Sequence, residues 1–332
     1  MTRAKRAADP VEPAPPGTLF PKDREVQSLD GTPIRYTVRG RGAPTVVVCA
    51  GFACPDSHWR YLVPALERRM RVVVWNYRGM GASGLPSPPG FRAMRLRRED
   101  FRLDRYAEDL EAVLDAEGIR RAVLLGHSMG TQVALEGYRR MPGRVAGLVL
   151  VAGPYASPFH TMYSSDLGDR LFPLVRYGIQ LVPPALLRLW GPLWRSPLPF
   201  PVAVLVGSVG PLARPADMDG YFRHVARLDP LVLVKVAEGM HRHSAADVLP
   251  QVRVPVLVVA GGRDPWTPPA LAEQMAAAIS DAELHVVDGA SHALPIEEPE
   301  ALDDLVLSWL ARRIPTRART ARTRRAGGGA AG

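Results

Sequence analysis

The sequence predicts an α/β fold in which a doubly wound, mostly parallel sheet is flanked by helices. Short β-rich runs alternate with helical segments from about Arg24 onward. Several of these runs are apolar throughout, as is typical of strands that helices cover on both faces. The alternation stops between about Pro154 and Val252 and then resumes, which indicates an insertion into an otherwise regular α/β chain.

The predicted elements follow from periodicity and composition. The runs that predict strands cover residues 34–40, 45–51, 71–77, 121–128, 145–153, 254–262 and 283–289. The stretches that predict helices cover residues 57–69, 104–118, 129–141, 269–279 and 301–313. Strands that alternate with helices in this way favour parallel pairing.

The insertion, residues 154–252, is rich in Pro, Leu and Trp. Within it, "PPALLRLWGPLW" begins with prolines that suit a first helical turn. Leu186, Trp190 and Trp194 recur at helical spacing and are predicted to share one face. We favour the interpretation that this face packs the insertion onto the sheet. The alternative is that Trp190 and Trp194 line a pocket for an apolar substrate.

The charge of the chain is concentrated near its end. Of the net charge of +9, seven units come from Arg312, Arg313 and five further arginines up to Arg325. The stretch "RARTARTRRAGGGAAG" lacks apolar periodicity, and we predict a solvated, disordered tail over residues 314–332. Residues 1–23 are likewise predicted to be disordered. The two parts of the predicted α/β core are then residues 24–153 and 253–313, with the helical insertion, residues 154–252, between them. No specific nucleic-acid partner is expected.

The sequence shows no secretory signal or membrane-spanning stretch, and together with the cysteine usage this predicts a soluble, cytoplasmic protein. The first twenty residues have no apolar core of the kind that a secretory signal requires. The longest apolar stretch, residues 199–213, is interrupted by Pro and Gly and is too short to span a membrane. Cys49 and Cys54 are expected to be buried thiols and not a disulfide or a metal pair.

A candidate nucleophile stands in "LLGHSMGTQ". The pentapeptide "GHSMG" places Ser128 between Gly126 and Gly130, after an apolar run and before a helix-compatible segment. This strand, sharp turn and helix is the setting that the Gly-x-Ser-x-Gly motif requires. The glycines remove side chains where the strand and helix backbones approach each other. Ser128 is therefore predicted to be a nucleophile on a strained turn.

A serine hydroxyl needs a base, and the base needs an acid that orients it. Asp264 directly follows one late strand in "VVAGGRDPWTPP", and His292 follows the next strand in "HVVDGASHALP". Functional groups of doubly wound sheets lie beyond the carboxyl ends of the strands. The chain order Ser128, Asp264, His292 therefore predicts a catalytic triad.

Acyl transfer also needs two backbone donors for the oxyanion. The Met129 N–H, in the first turn of the helix after Ser128, is the first candidate. The second donor is expected in the loop after an early strand, "VVVCAGFACPDSHW", where Phe52 follows Gly51. Phe52 is thus assigned by position alone.

From about Arg24 to Arg313 the chain resembles the α/β-hydrolase family. The elements that carry the resemblance are "AGF", "NYRGMGASG", "GHSMG", "GGRDPWTP" and "GASHALPIEEP", in that order. The resemblance implies an eight-stranded sheet, a helical lid inserted after the sixth strand, and Ser128, His292 and Asp264 as nucleophile, base and acid. Ala50 and Asn76 depart from the usual His and Asp, which affects loop packing more than chemistry. A serine nucleophile argues against dehalogenase and epoxide hydrolase activity.

Three further histidines, His127, His241 and His243, are predicted to be neither catalytic nor metal-binding. His241 and His243 are two residues apart, on different faces of a helix, with no visible third ligand, so no metal site is expected. His127, beside Ser128, is expected to pack within the turn and not to transfer protons.

The sequence therefore predicts an acyl-transfer hydrolase that needs no metal or cofactor and acts on a small, apolar ester or related acyl compound. The alternatives are a cofactor-free haloperoxidase or perhydrolase, a carbon–carbon bond hydrolase of the same fold, and a ligand-binding member without catalysis.

Overall fold

The computed structural model describes residues 5–6, 19–86, 96–210 and 213–314. The predicted disorder of residues 315–332, and of most of residues 1–18, falls outside the described residues. Within the described residues, every helix is too short or too polar to span a bilayer.

The described strands form one sheet in the order β1-β2-β3-β5-β4-β6-β7-β8-β9. The pairs β1–β2, β2–β3 and β3–β5 are antiparallel. Every other neighbouring pair, from β5–β4 to β8–β9, is parallel. The sheet confirms the predicted α/β class, with β1 as a two-residue addition to the eight expected strands. The strands are β1 (Lys5–Arg6), β2 (Arg24–Gln27), β3 (Pro33–Arg39), β4 (Thr45–Cys49), β5 (Arg71–Trp75), β6 (Ala122–His127), β7 (Val145–Val151), β8 (Val256–Gly261) and β9 (Ala282–Val287).

Helices lie on both faces of this sheet and in the stretch between β7 and β8. They are α1 (Leu62–Glu67), α2 (Leu103–Ala116), α3 (Met129–Arg140), α4 (Leu167–Leu181), α5 (Pro184–Leu187), α6 (Trp190–Arg195), α7 (Pro199–Leu205), α8 (Pro215–Val225), α9 (Pro230–His241), α10 (Pro269–Ala278), α11 (Leu294–Glu297) and α12 (Pro299–Arg313). We call residues 154–252, which contain α4 to α9, the helical insertion.

Alternate residues of the central strands belong to two separate cores. Val47 of β4 packs in a cluster that includes residues of α2, α3 and α10, whereas Val46 and Val48 pack in a second cluster with α1 and α12. Each central strand is therefore buried on both sides. This explains why their sequences are apolar throughout and do not alternate with polar residues.

One predicted helix differs from the structure, and one strand was not predicted. The helix expected at residues 57–69 is a 3-10 helix, Asp56–Trp59, followed by the short α1. Pro64 has no N–H to donate to the carbonyl of Arg60, so a continuous helix would lose a hydrogen bond there. β2, a charged strand near the edge of the sheet, was not predicted because "REVQ" has little β-type patterning.

The expectation that Leu186, Trp190 and Trp194 share one buried helix face is wrong for Leu186. This stretch forms two helices, α5 and α6, and Leu186 is 55% exposed. Trp190 and Trp194 are partly buried, with ring centroids 5.4 Å apart. α5 ends at Leu187 and α6 begins at Trp190, so Leu186 does not belong to the helix that carries the two tryptophans.

The folded part of the chain extends beyond both predicted boundaries, Arg24 and Arg313. Phe20 is buried, and Lys22 Nζ pairs with a carboxylate oxygen of Asp56 at 2.6 Å, so folded contacts begin before Arg24. At the other end Ile314 is buried, and a Cβ on Gly147 would come within 2.7 Å of the Ile314 Cδ1. The small residue at 147 thus makes room for Ile314, which belongs to the core and not to the tail.

Cys49 and Cys54 are free thiols, and burial raises the pKa of each to about 12. Both therefore stay protonated and unreactive near neutral pH.

Candidate active site

Ser128 occupies a strained turn between β6 and α3. Its φ of 54° and ψ of −124° lie in a region that non-glycine residues rarely adopt. A Cβ on Gly130 would come within 2.0 Å of the Cys49 carbonyl oxygen, and one on Gly126 within 2.3 Å of the Gly130 carbonyl oxygen. Both positions therefore exclude any larger side chain, which explains the glycines on either side of the serine.

The structure brings the three predicted triad residues together. His292 Nε2 lies 2.9 Å from Ser128 Oγ, and His292 Nδ1 lies 2.8 Å from Asp264 Oδ2. Ser128 follows β6, Asp264 follows β8 and His292 follows β9, so all three come from the carboxyl ends of parallel strands. The hydrogen bonds form a chain that can move a proton from the hydroxyl to the imidazole.

The turn after β8 holds Asp264 as an oriented, ionised acceptor. The backbone N–H groups of Trp266 and Thr267 donate to Oδ1 at 2.8 and 3.0 Å, and the Thr267 hydroxyl donates to Oδ2 at 2.6 Å. Burial opposes ionisation of this carboxyl group, but the charge and hydrogen bond of His292 and the bonds from Thr267 outweigh it. The pKa of Asp264 is lowered as a result.

The loop that carries His292 is fixed by Glu297. Its carboxylate accepts hydrogen bonds from the Ser291 N–H at 2.7 Å and from the Ser291 hydroxyl at 2.5 Å. The Gly210 N–H, in the helical insertion, donates to the same carboxylate at 2.6 Å. Glu297 therefore joins the base-bearing loop to the insertion. The imidazole of His292 also stacks on the ring of Trp266, with the ring planes 28° apart.

A second contact joins the insertion to the acid-bearing turn. The backbone N–H of Tyr163 donates to the carbonyl of Pro265, the residue after Asp264. A Cβ on Gly207 would come within 2.9 Å of Pro265 Cγ. The insertion thus packs against both loops that orient the candidate triad.

The predicted oxyanion donors lie on two segments that meet at Ser128. A Cβ on Gly51 would come within 3.2 Å of Ser128 Cβ, which places the Phe52 segment directly beside the serine. Ala53 has a φ of 52°, so this loop turns sharply after Phe52. Met129 is the first residue of α3, where backbone N–H groups have no intrahelical acceptor.

Trp190 and Trp194 contact other helices of the insertion. Trp190 Nε1 donates to the Val225 carbonyl at 2.9 Å, and the Trp194 ring lies 6.1 Å from that of Phe222. Both contacts are with α8. Their role in substrate binding therefore stays a prediction, while packing accounts for these contacts.

Sequence reasoning missed Thr267, Glu297 and Trp266. Thr267 lies three residues after Asp264, a spacing at which an Asp side chain caps the following turn. That signal was available in "DPWT". The role of Glu297 depends on the fold of the loop after His292, and nothing in "IEEP" identifies which glutamate faces it.

Comparisons with known proteins agree with the fold of the chain. Residues 46–305 match the Alpha/beta hydrolase family. The chain is 31% identical over 294 residues to the polyketide synthase ThaQ of Burkholderia thailandensis; this match covers 86% of the chain but 13% of that longer protein. It is 28% identical to a putative carbamate hydrolase, RutD, of Shigella flexneri, over 81% of this chain and 92% of that protein.

Among solved structures, a thermophilic esterase from Thermogutta terrifontis superposes with a TM-score of 0.65. The superposition covers 88% of this chain and 98% of the esterase at 23% identity, which shows a common fold.

Proposed function

Because this chain belongs to the alpha/beta hydrolase family, we propose that it is a serine hydrolase that cleaves a carboxylic ester or a related acyl bond of an apolar small molecule. The observation that carries the proposal is the continuous hydrogen-bond chain from Ser128 through His292 to Asp264. A nucleophile, a base and an orienting acid at these distances are the parts that acyl transfer needs.

In the proposed reaction, His292 Nε2 takes the proton of the Ser128 hydroxyl as Oγ attacks the carbonyl carbon. The resulting tetrahedral intermediate collapses when His292 returns that proton to the leaving oxygen or nitrogen, and an acyl-serine remains. His292 then deprotonates a water molecule that attacks the acyl carbon. It returns this proton to Ser128 Oγ as the acyl–oxygen bond breaks, which releases the acid and restores the hydroxyl. Asp264 holds Nδ1 protonated and stabilises the imidazolium that forms in each half-reaction.

We assign the Phe52 and Met129 N–H groups to the developing oxyanion. The position of each N–H group beside Ser128 supports this assignment. Backbone amides of packed segments are already oriented, so they need no reorganisation when the oxyanion forms. One such donor typically lowers the barrier by about 3 to 4 kcal/mol.

The proposed substrate class rests on the composition of the helical insertion and on the relatives. Apolar side chains dominate the insertion, and its contacts with Glu297 and Pro265 support its assignment as a lid over the site. RutD is described as a putative carbamate hydrolase, so a carbamate is one acyl compound to include in a substrate panel.

The test is hydrolysis of p-nitrophenyl esters of increasing acyl length by the wild type and by Ser128→Ala. We expect turnover by the wild type, a preference for one range of chain length, and loss of at least about a thousandfold in kcat for the variant. Ser308→Ala, the same change on the exposed side of α12, is the matched control and should retain full activity.

Absence of turnover on every ester and on a p-nitrophenyl carbamate, by folded wild-type protein, would contradict the proposal. Turnover of peroxide with a short carboxylic acid, or of a vinylogous diketone, in preference to all esters would assign the triad to one of the alternative reactions.

A further inference from the structure

His160, Asp169 and His241 converge at a place in the helical insertion that the proposed reaction does not use. His241 Nε2 lies 3.3 Å from Asp169 Oδ1, and His160 Nδ1 lies 3.6 Å from Asp169 Oδ2. The three ligand atoms that these residues offer all lie within 4.8 Å of one another. His160 is exposed, and the other two are partly buried.

Three separate elements supply these side chains. His160 ends the 3-10 helix Pro158–His160, Asp169 lies in the first turn of α4, and His241 is the last residue of α9. Gly168 allows the start of α4 to approach the 3-10 segment, because a Cβ there would come within 2.9 Å of the Phe159 carbonyl oxygen. The convergence therefore depends on the tertiary fold and has no counterpart in the sequence spacing.

The ring of His241 is held so that Nε2 faces Asp169. Its Nδ1 lies 3.5 Å from Ser157 Oγ, the kind of outer contact that orients ligating histidines. Phe159 and Phe172 pack against the imidazole with ring centroids 5.5 and 5.0 Å away. Phe172 is itself buried, so the ring has little freedom to turn away.

We propose that His160, Asp169 and His241 form a Zn²⁺ site that fastens the 3-10 helix and α4 to the end of α9. Two imidazoles and one carboxylate are donors that zinc prefers, and an exposed edge leaves room for a water as fourth ligand. Zinc–ligand bonds of about 2.0 to 2.2 Å in a tetrahedron place neighbouring ligand atoms about 3.3 to 3.6 Å apart. His241 Nε2 lies 3.3 Å from Asp169 Oδ1 and His160 Nδ1 lies 3.6 Å from the other oxygen, Oδ2, so each nitrogen is close to this spacing from one carboxylate oxygen.

Nearby cationic side chains have other partners. Arg170 pairs with Asp166 at 2.7 Å, and Arg242 pairs with Glu238 at 3.1 Å. The Asp169 carboxylate is thus left to the two histidines. A shared cation would bind both imidazole nitrogens and the carboxylate at once.

The test is calorimetric titration of untagged, chelator-treated full-length protein with Zn²⁺ alone. We expect one site per chain in the wild type and binding at least tenfold weaker in Asp169→Asn, His241→Gln and His160→Gln. His285→Gln, which removes an imidazole on β9, is the matched control and should bind like the wild type. Mg²⁺ and Ca²⁺, which prefer oxygen ligands, should not compete.

A second readout is thermal unfolding, because a ligand that binds the folded state raises its midpoint. Zn²⁺ should raise Tm for the wild type and for His285→Gln but not for Asp169→Asn. His160 lies on the surface, so His160→Gln tests the site without disturbing packing. Absence of saturable Zn²⁺ binding by the wild type, or wild-type affinity in Asp169→Asn and His160→Gln, would overturn the proposal.

Discussion

His127 Nε2 lies 2.9 Å from the backbone carbonyl oxygen of His292, so the residue before the candidate nucleophile is bonded to the loop that carries the candidate base. Burial, together with the charge of His292, lowers the pKa of His127 to about 3. The imidazole is therefore neutral near pH 7, and its single N–H can donate to that carbonyl. His127 thus acts as a positioning residue for the proposed triad.

Replacement of His127 by Ala should lower kcat about tenfold and leave KM nearly unchanged. A lost neutral hydrogen bond costs about 0.5 to 1.5 kcal/mol, and here the loss would loosen His292 without touching the substrate. Steady-state kinetics on the preferred p-nitrophenyl ester measure the effect. His127→Gln, which can donate to the same carbonyl, should recover part of the rate; equal loss in both variants would argue against positioning through this bond.

Asp264→Asn should reduce kcat by about a thousandfold to ten-thousandfold. The amide would keep the shape of the side chain, but its NH2 group would repel Nδ1–H or donate to an unprotonated Nδ1, which favours the wrong tautomer of His292. Kinetics above pH 7 test the prediction, with circular dichroism as a check of folding. A decrease of less than tenfold would show that Asp264 does not orient the base.

The buried pair between Arg78 and Asp109 should be essential for folding stability. Arg78 Nε and Nη2 donate to the two carboxylate oxygens of Asp109 at 2.8 and 2.6 Å, and both side chains are fully buried. Asp109→Ala would leave the buried guanidinium with the single carboxylate of Asp30, together with neutral acceptors such as the Asp100 carbonyl. We expect a loss of about 3 to 5 kcal/mol in the free energy of unfolding by urea.

The matched control for that loss is Asp104→Ala, which removes an exposed carboxylate from the first turn of the same helix, α2. It should cost less than about 1 kcal/mol. Similar losses in the two variants would show that burial of the Arg78–Asp109 pair does not increase its contribution to the free energy of unfolding.

Asp303 on α12 should make the protein less stable at neutral pH than at mildly acidic pH. Burial, then repulsion from Asp304 and Glu300, raises the pKa of Asp303 to about 6. Because the folded state binds this proton more tightly than the unfolded chain does, stability falls as pH rises from about 4 to about 6 and is level above that range. Asp303→Asn should remove this loss.

The expected gain for Asp303→Asn is about 1 kcal/mol at pH 7.5 after allowance for solvent screening, and close to zero at pH 4. Urea unfolding at both pH values measures it. Glu273→Gln, a charge removal on the exposed face of α10, should change stability by less than about 0.5 kcal/mol at either pH. An equal effect of Asp303→Asn at the two pH values would contradict the assignment.

The sheet could be predicted from sequence because its central strands carry local signals. Val46 to Val48 and their counterparts are apolar throughout, and glycines flank Ser128 where backbones meet. The order of Ser128, Asp264 and His292 along the chain then placed all three at one edge, because parallel strands end on the same side.

Other features depend on contacts between distant segments and leave no local pattern. Glu297 acts through Ser291 and Gly210, and the hydrogen bond from Gly210 joins residues 87 positions apart. The sequence spacing suggests His243 as the neighbour of His241, whereas the partners of His241 come from α4 and the 3-10 helix. His243 Nε2 instead lies 2.8 Å from Glu136 Oε1 on α3. Helix periodicity cannot identify such partners, since they are set by how the insertion packs.

The central claim is that Ser128 is a nucleophile activated by His292. Reaction with a fluorophosphonate probe, followed by intact-protein mass spectrometry and peptide mapping, tests it most directly. The account predicts one adduct on the wild type, located on Ser128, and none on Ser128→Ala under the same conditions. Failure of the folded wild type to react, or equal labelling of Ser128→Ala, would contradict it.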